Sequence, residues 1–356
     1  MKHTEKSLFS RLFNPVDVGI DLGTGSTRVF MKNRGIVLEE PSVVALDPST
    51  GKTAAIGSKA REMTGKGQWE VVWPLENGVI ADFDASVGLL ETVLDRVVGR
   101  NLFFKPRVMV CVPTGVTGVE RRAVTEAALL AGAAKTYLIE GPLAAALGAG
   151  LPIQEPKGRM VVDIGSGTTS AAVLSMGRII QAASLRMGGE AFNEGLVRHL
   201  RDRLNIQIEG SLAEEIKLEI GTVSRRGRRG TKIIHGRDNI TGLPTSLRLS
   251  SQDTVRGLGE PIGPILACIH SVLEKTPPEL AADLLETGIV LTGGGALLEG
   301  MDECIEAGTH VRTRVAANPR ECVARGAVMA LPSTTSSPTW TNCPKKNRNS
   351  SWPPYR

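Results

Sequence analysis

Val18-Gly-Ile-Asp-Leu-Gly-Thr-Gly-Ser-Thr27 is an apolar run, an aspartate and a glycine-rich turn, and the pattern returns as Val161-Val-Asp-Ile-Gly-Ser-Gly-Thr-Thr169. Asp21 corresponds to Asp163, and each turn is followed by a second strand-like run, Arg28–Met31 and Ala171–Leu174. One such turn alone reads as an ordinary hairpin. Two at matching positions read as a duplicated unit, two similar domains facing each other across a cleft. The chemistry of the pair follows from its residue types. Glycines let a backbone approach a polyanion closely, and successive N–H groups form a nest for it. The hydroxyls of Thr24, Ser26, Thr168 and Thr169 add donors. Asp21 and Asp163, arriving from opposite sides, suit a magnesium ion that keeps most of its waters.

Around these turns the chain alternates strand and helix signals from Val16 to about Ala330, the pattern of an α/β protein. Strands are expected at Val16–Ile20, Val108–Val112, Met160–Ile164 and Gly288–Leu291. Ser211-Leu-Ala-Glu214 has the form of a capping box opening a helix with apolar Leu212, Ile216 and Ile220, closed by Gly221. Thr276-Pro-Pro-Glu279 reads as another, with proline at the first helical position. Phe192, Leu196, Leu200 and Leu204 recur at helical spacing as one buried stripe. Residues 332–356, rich in Ser, Thr, Pro and Asn, have no hydrophobic periodicity and read as a disordered tail.

Composition narrows the class. The chain has 356 residues, 41% hydrophobic and 22% charged, as in ordinary globular proteins, which excludes wholesale disorder and a polytopic membrane protein. The net charge of +5 lies at the ends. Lys345, Lys346, Arg348 and Arg356 stand in the tail without an acid, and Lys2, Lys6 and Arg11 face only Glu5 at the start. Arg225, Arg226, Arg228, Arg229 and Lys232 form a local basic run without aromatics, which reads as a solvated loop and argues against a nucleic-acid partner. Five scattered cysteines without a C-x-x-C pair give neither a disulfide framework nor a zinc site. With no signal-peptide pattern and no run of 18 apolar residues, a cytoplasmic location is expected.

A third glycine cluster, Thr292-Gly-Gly-Gly295-Ala-Leu-Leu, follows a strand and is expected to lead into a helix, leaving free N–H groups and room for a flat ligand. Neither common nucleotide fingerprint fits. No G-x-G-x-x-G sits on a convincing βαβ unit, and Ser49-Thr-Gly-Lys-Thr53 lacks the first P-loop glycine, that position being Leu46. Taken together, the two turns and this cluster resemble the actin, sugar kinase and DnaK-type ATPase superfamily. More narrowly, the chain resembles the bacterial actin family MreB/Mbl. Glu40-Pro-Ser-Val-Val, Gly78-Val-Ile-Ala-Asp-Phe-Asp, Val119-Glu-Arg-Arg-Ala, Ala213-Glu-Glu-Ile-Lys-Leu-Glu-Ile-Gly, Thr241-Gly-Leu-Pro and Leu273-Glu-Lys-Thr-Pro-Pro-Glu-Leu-Ala-Ala-Asp carry the likeness.

The resemblance implies an actin-like, ribonuclease H-like duplicated fold with a nucleotide cleft. Its first domain would comprise 16–150 and 316–331, with a small subdomain at about 43–75. The second would be 151–315, with a small subdomain at about 186–245. It implies ATP and magnesium as cofactors. Gly23, Thr24, Gly25 and Ser26 would hold one side of the phosphates, and Gly165, Ser166, Gly167 and Thr168 the other, with Asp21 and Asp163 serving the metal through water. Glu214, Glu215 and Lys217 would contact the adenosine, with Gly293, Gly294, Gly295 and Ala296 beneath it. Glu140 and Thr168 would stand at the reacting phosphate. Three positions depart from the family pattern: Gly141 replaces the acid expected immediately before Pro142, Ser166 replaces a glycine, and Ser170 replaces an acid. ATP binding is expected to survive, with at most slow hydrolysis.

Lys6-Ser-Leu-Phe-Ser-Arg-Leu-Phe13 places Leu8, Phe9, Leu12 and Phe13 on one helical face flanked by cations, an interfacial anchor pattern over residues 1–15. Leu102, Phe103 and Phe104, between Arg100 and Lys105, read as an apolar loop tip. The resemblance strengthens the membrane reading and implies a head-to-tail filament on the inner face of the cytoplasmic membrane. There the filament would organise the cell-wall elongation machinery and maintain rod shape. A DnaK-type chaperone is the first rival and would need a substrate-binding domain after the nucleotide domain. A small-molecule kinase is the second and would need a catalytic base for a substrate hydroxyl, for which the sequence offers no candidate.

Overall fold

The structure is a computed structural model that describes residues 16–99, 105–224, 226–227 and 230–332. The membrane-anchor residues Leu8, Phe9, Leu12, Phe13, Leu102, Phe103 and Phe104 lie outside the described residues, as do Arg225, Arg228, Arg229 and the tail from residue 333.

The first half begins with the hairpin β1 (Asp17–Leu22) and β2 (Ser26–Met31), continued by β3 (Gly35–Pro41). A small excursion follows, with β4 (Val44–Leu46), β5 (Thr53–Ile56), α1 (Ser58–Arg61) and β6 (Glu70–Val72). The short pair β7 (Leu75–Glu76) and β8 (Val79–Ile80) leads to α2 (Phe83–Val98), β9 (Arg107–Val112), α3 (Gly118–Leu130), β10 (Lys135–Glu140) and α4 (Gly141–Gly148). The second half repeats the plan with β11 (Arg159–Ile164), β12 (Thr169–Ser175) and β13 (Arg178–Leu185). Next come α5 (Gly189–Leu204), β14 (Ile206–Gln207), α6 (Gly210–Glu219), β15 (Thr231–Asp238) and β16 (Pro244–Ser250). The half closes with α7 (Ser251–Gly259), α8 (Ile262–Lys275), α9 (Pro278–Thr287), β17 (Ile289–Thr292), α10 (Met301–Thr309), β18 (Thr313–Val315) and α11 (Cys322–Met329).

The duplication seen in the sequence is reproduced strand for strand. One sheet runs β3-β2-β1-β9-β10 and the other β13-β12-β11-β17-β18. In each, an antiparallel meander is extended by two strands parallel to its first member. Period-2 alternation divides the side chains between the two faces of each sheet. Val18, Ile20, Val108 and Val110 pack with α2 and α3 through Leu89, Leu90, Val93 and Val124. Met109, Cys111, Tyr137 and Ile139 face the other way, into a core shared with Val161, Ala172 and Leu174 of the second sheet. Helices α4 and α11 supply Leu143, Ala144, Val323 and Ala327 to that core and so lie between the sheets. The outer face of the second sheet buries Met160, Val162 and Ile164 with Phe192, Leu196, Ile265 and Ile269.

The four expected strands form within a residue or two of their limits. Local details differ. Neither expected capping box exists: α6 is capped at Glu209, so Ser211 lies inside the helix. Thr276 instead closes α8, its hydroxyl donating to the Val272 carbonyl at 2.7 Å, because a residue before proline is held extended. Capping boxes are found at Thr117–Glu120 and Ser250–Asp253. Proline does take the first position of α9, as Pro278. In the α5 stripe Phe192, Leu196 and Leu200 are buried, but Leu204 is 38% exposed at the helix end, where Asn205 turns the chain in a left-handed conformation. Lys232 belongs to strand β15 and not to a solvated loop; its ammonium binds Glu215 and Glu219 at 2.7 Å each.

Candidate functional site

Parallel pairing of β1 with β9, of β9 with β10, and of β11 with β17 aligns the carboxyl ends of these strands. Each hairpin turn therefore emerges beside the start of a helix or a glycine cluster. The first turn, Gly23–Gly25, is pinned from behind by Ser42 of the Glu40-Pro-Ser stretch. The Ser42 hydroxyl donates to the Gly23 carbonyl at 2.6 Å and lies 2.8 Å from the buried Thr27 hydroxyl, while the Ser42 N–H donates to the Gly25 carbonyl at 3.2 Å. Gly78 N–H donates to Thr24 Oγ1 at 2.9 Å. The sequence flagged Ser42 and Gly78 only within longer stretches and gave neither a role.

The second turn is closed by Gly165 N–H donating to the Thr168 carbonyl at 2.8 Å. It rests on the start of α5, where Gly189 N–H donates to the Gly165 carbonyl at 2.9 Å and Glu190 N–H to the Ser166 carbonyl at 2.8 Å. Gly188 is required here, since a Cβ on it would stand 2.5 Å from the Gly165 oxygen. Thr169, expected as a donor to the site, is fully buried and its hydroxyl donates to the Met187 carbonyl at 2.8 Å. Ser170 lies 2.8 Å from the Ser184 hydroxyl, within the sheet. The two turns touch: Gly25 N–H donates to Ser166 Oγ at 2.9 Å, and Gly167 lies against Thr24.

The two aspartates lie near the ends of the strands that lead into these turns. Asp21 pairs across the hairpin with Arg28, whose guanidinium comes within 3.8 Å of its carboxylate and also binds Glu39 at 3.0 Å. Glu39 is shared with Arg320. Asp163 accepts a hydrogen bond from Thr292 at 2.7 Å, in register on neighbouring strands. Burial pushes the Asp21 carboxyl up to about 7; Arg28 opposes the rise, and the charges of Asp163 and Glu39 add to it. Asp163 is likewise raised by burial, against the Thr292 hydrogen bond and Arg28. Arg28 is thus a site residue that the sequence reading missed, and β-register supplies it. Two desolvated carboxylates whose charges are coupled, both within the field of Arg28, fit a divalent cation. Among the described residues no group of three or more His, Cys, Asp or Glu is arranged to hold an ion. A cation at this pair would therefore rely on waters and ligand oxygens.

Glu214 and Lys217 also converge. Lys217 Nζ binds Glu214 at 2.7 Å and the Gly189 carbonyl at 2.9 Å, which ties α6 to the start of α5. Asn193, unmarked in the sequence, donates to Glu214 at 2.6 Å. Burial works to raise the Glu214 carboxyl, but Lys217, Asn193 and the charge of Arg61 outweigh it and hold the group below its usual range. Arg61 belongs to α1, so its field reaches Glu214 from the other half. Glu215, expected beside them, is directed instead to Lys232. Glu190 is raised, first by burial and then by Glu194, with Lys217 opposing.

Gly293 adopts φ of +82°, and its N–H donates to the Pro319 carbonyl at 2.9 Å. Gly294 has open space where a Cβ would stand, while Gly293 and Gly295 press against Ile164 at the rim of the second turn. The cluster leads into a single 3-10 turn, Gly295–Leu297, and not directly into a helix; α10 begins only at Met301. Ala296 is buried beneath. Glu140 caps α4 with its backbone while its carboxylate lies 3.4 Å from Arg121. Gly141 follows at the first helical position.

Solved structures share this architecture. MreB5 of Spiroplasma citri bound to AMPPNP superposes with a TM-score of 0.82 at 34% identity, over 89% of this chain and 96% of that one. The ADP-bound form of that protein matches equally well at 33% identity. A MamK double helical filament, at 21% identity and a TM-score of 0.75, shares the fold. The cell shape-determining protein Mbl of Bacillus subtilis is 42% identical over 317 residues, covering 88% of this chain and 95% of its own length. The cell shape-determining protein MreB of Escherichia coli is 43% identical over 323 residues, covering 88% of this chain and 93% of its own. The MreB/Mbl protein family model matches residues 15–337. On fold, coverage and identity together, the chain belongs to the MreB/Mbl family of actin-like, cell shape-determining proteins.

Proposed function

We propose that the cleft binds ATP with magnesium and that nucleotide-bound copies assemble head to tail into filaments on the inner face of the cytoplasmic membrane. There the filaments organise cell-wall synthesis and maintain rod shape. The observation that carries the nucleotide reading is the meeting of two glycine turns at 2.9 Å, with Asp21 and Asp163 in one electrostatic field behind them. The related MreB5 was solved with AMPPNP and with ADP, which supports the same ligand class here.

Gly23–Ser26 and Gly165–Thr168 are the phosphate-facing turns, and Asp21 and Asp163 would hold magnesium through water. Bound magnesium supplies positive charge against the phosphates. Glu214 and Lys217, braced by Asn193, face the ribose and base, and Gly293–Ala296 form the floor under them. Segments 16–150 with 316–331, and 151–315, are the two units that nucleotide draws together. Heterologous contacts between closed copies then generate an open filament.

Hydrolysis is slow. The position before Pro142 carries no acid, and Glu140 is engaged with Arg121. Membrane attachment rests on the sequence of residues 6–13 and 102–104. One short apolar helix binds weakly, so a filament carrying many copies supplies the avidity. Among the described residues no helix is long and apolar enough to cross a membrane. Pelleting with anionic liposomes in ATP and magnesium, followed by electron microscopy, tests the reading. Membrane-bound filaments are expected, and their absence would refute it.

A further inference from the structure

Ser166 stands where the first turn has Thr24, at the centre of the second turn, and its polar backbone and side-chain atoms are committed in two directions. Its carbonyl accepts the Glu190 N–H at 2.8 Å, which fixes it to the start of α5. Its hydroxyl accepts the Gly25 N–H at 2.9 Å, across the cleft. The approach is close. A Cβ on Gly25 would stand 2.5 Å from Ser166 Oγ, and one on Gly167 would stand 3.3 Å from Thr24. The first turn is itself immobilised by Ser42, so neither side yields freely. Gly25 has a single backbone N–H donor, and a phosphate oxygen using it cannot share it at full strength with Ser166.

We propose that Ser166 is a positioning residue that latches the two phosphate turns together by occupying the Gly25 N–H. Nucleotide then binds by exchanging a phosphate oxygen for the serine hydroxyl. This proposal rests on the nucleotide reading given above. A residue without a side-chain oxygen at 166 leaves the donor free, so the hydroxyl costs affinity and connects the first turn, through itself, to α5. A single neutral hydrogen bond of this kind corresponds to about a two- to tenfold change in an equilibrium constant.

The test compares the full chain with Ser166→Ala and with Ser166→Thr, which retains the hydroxyl. Amide exchange at Gly25 is read by mass spectrometry without nucleotide, and ADP-magnesium binding by calorimetry. Ser166→Ala is expected to speed Gly25 exchange and to tighten ADP binding about two- to tenfold, with Ser166→Thr staying near wild type. Unchanged exchange at Gly25 would overturn the latch. Weaker ADP binding by Ser166→Ala would overturn it too, by making the hydroxyl a phosphate ligand. If neither wild type nor variant binds ADP-magnesium, the nucleotide reading falls and the phosphate falls as competitor, while Gly25 exchange still decides the bond between the turns.

Discussion

At position 141 a Cβ would meet nothing closer than the Val112 carbonyl, 3.7 Å away, so a side chain can leave the backbone there without a clash. Gly141→Glu is therefore expected to fold normally and to raise phosphate release by about tenfold or more, as a positioned base does. A variant releasing phosphate no faster than wild type would remove Gly141 as the cause of the slow turnover proposed above. Asp21 makes a second prediction. Its carboxyl moves from 3.8 to about 7 on folding, so between those values the folded chain holds a proton that the unfolded chain has released. Stability contributed by this group is therefore present below its unfolded pKa and falls as pH rises toward 7. Thermal unfolding without nucleotide should show a decline over that window that Asp21→Asn flattens; equal slopes would contradict the assignment. Asp21, Asp163 and both turns were legible from sequence because their residue types state their chemistry. Arg28, Ser42 and Asn193 were not. Their partners are fixed by strand register or by helix contact at long separation, which residue type alone does not carry.

At the scale of elements, α4 and α11 cross at two glycines. A methyl on Gly326 would strike the Ala144 carbonyl, and one on Gly148 would strike the Cys322 backbone. Gly326→Ala should push the helices apart and destabilise the protein by about 1–3 kcal/mol in denaturant unfolding. Because α4 begins at the cleft, ADP affinity should fall with it. An unchanged midpoint would show that the crossing has slack. Strands were read well from sequence, since β-branched runs such as Met160–Ile164 have one dominant use in a buried parallel sheet. Helix starts were read less well. Ser211 and Thr276 matched the capping motif in letters, but Glu214 was claimed by Lys217 and Asn193, and Thr276 by the preceding helix. Tertiary partners outbid local ones at both places.

Across the whole molecule, the two sheets share one strand order and one pattern of parallel and antiparallel pairing, and their facing surfaces close on the same pair of helices. Electrostatics also crosses between the halves. Arg61 adds a small lowering of the Glu214 carboxyl to that of Lys217 and Asn193, and Arg186 adds one to the Thr117 hydrogen bonds that hold the Glu120 carboxyl down. The duplicated architecture was legible because its two signatures are nearly identical in letters. The assignment of 316–331 to the first domain came only from the family resemblance, since nothing in Cys322–Met329 itself names the first sheet as the destination of α11. That placement has a consequence for how the protein is made. Strand β1 is synthesised first, and the helix that packs over Gly19 emerges roughly 300 residues later, a separation that makes closure of this contact slow. Until α11 emerges, the Met109 and Cys111 face lacks one of its covering helices. The first half therefore cannot complete this core before α11 has been made, and until then the nascent chain carries an incompletely covered apolar face that favours aggregation.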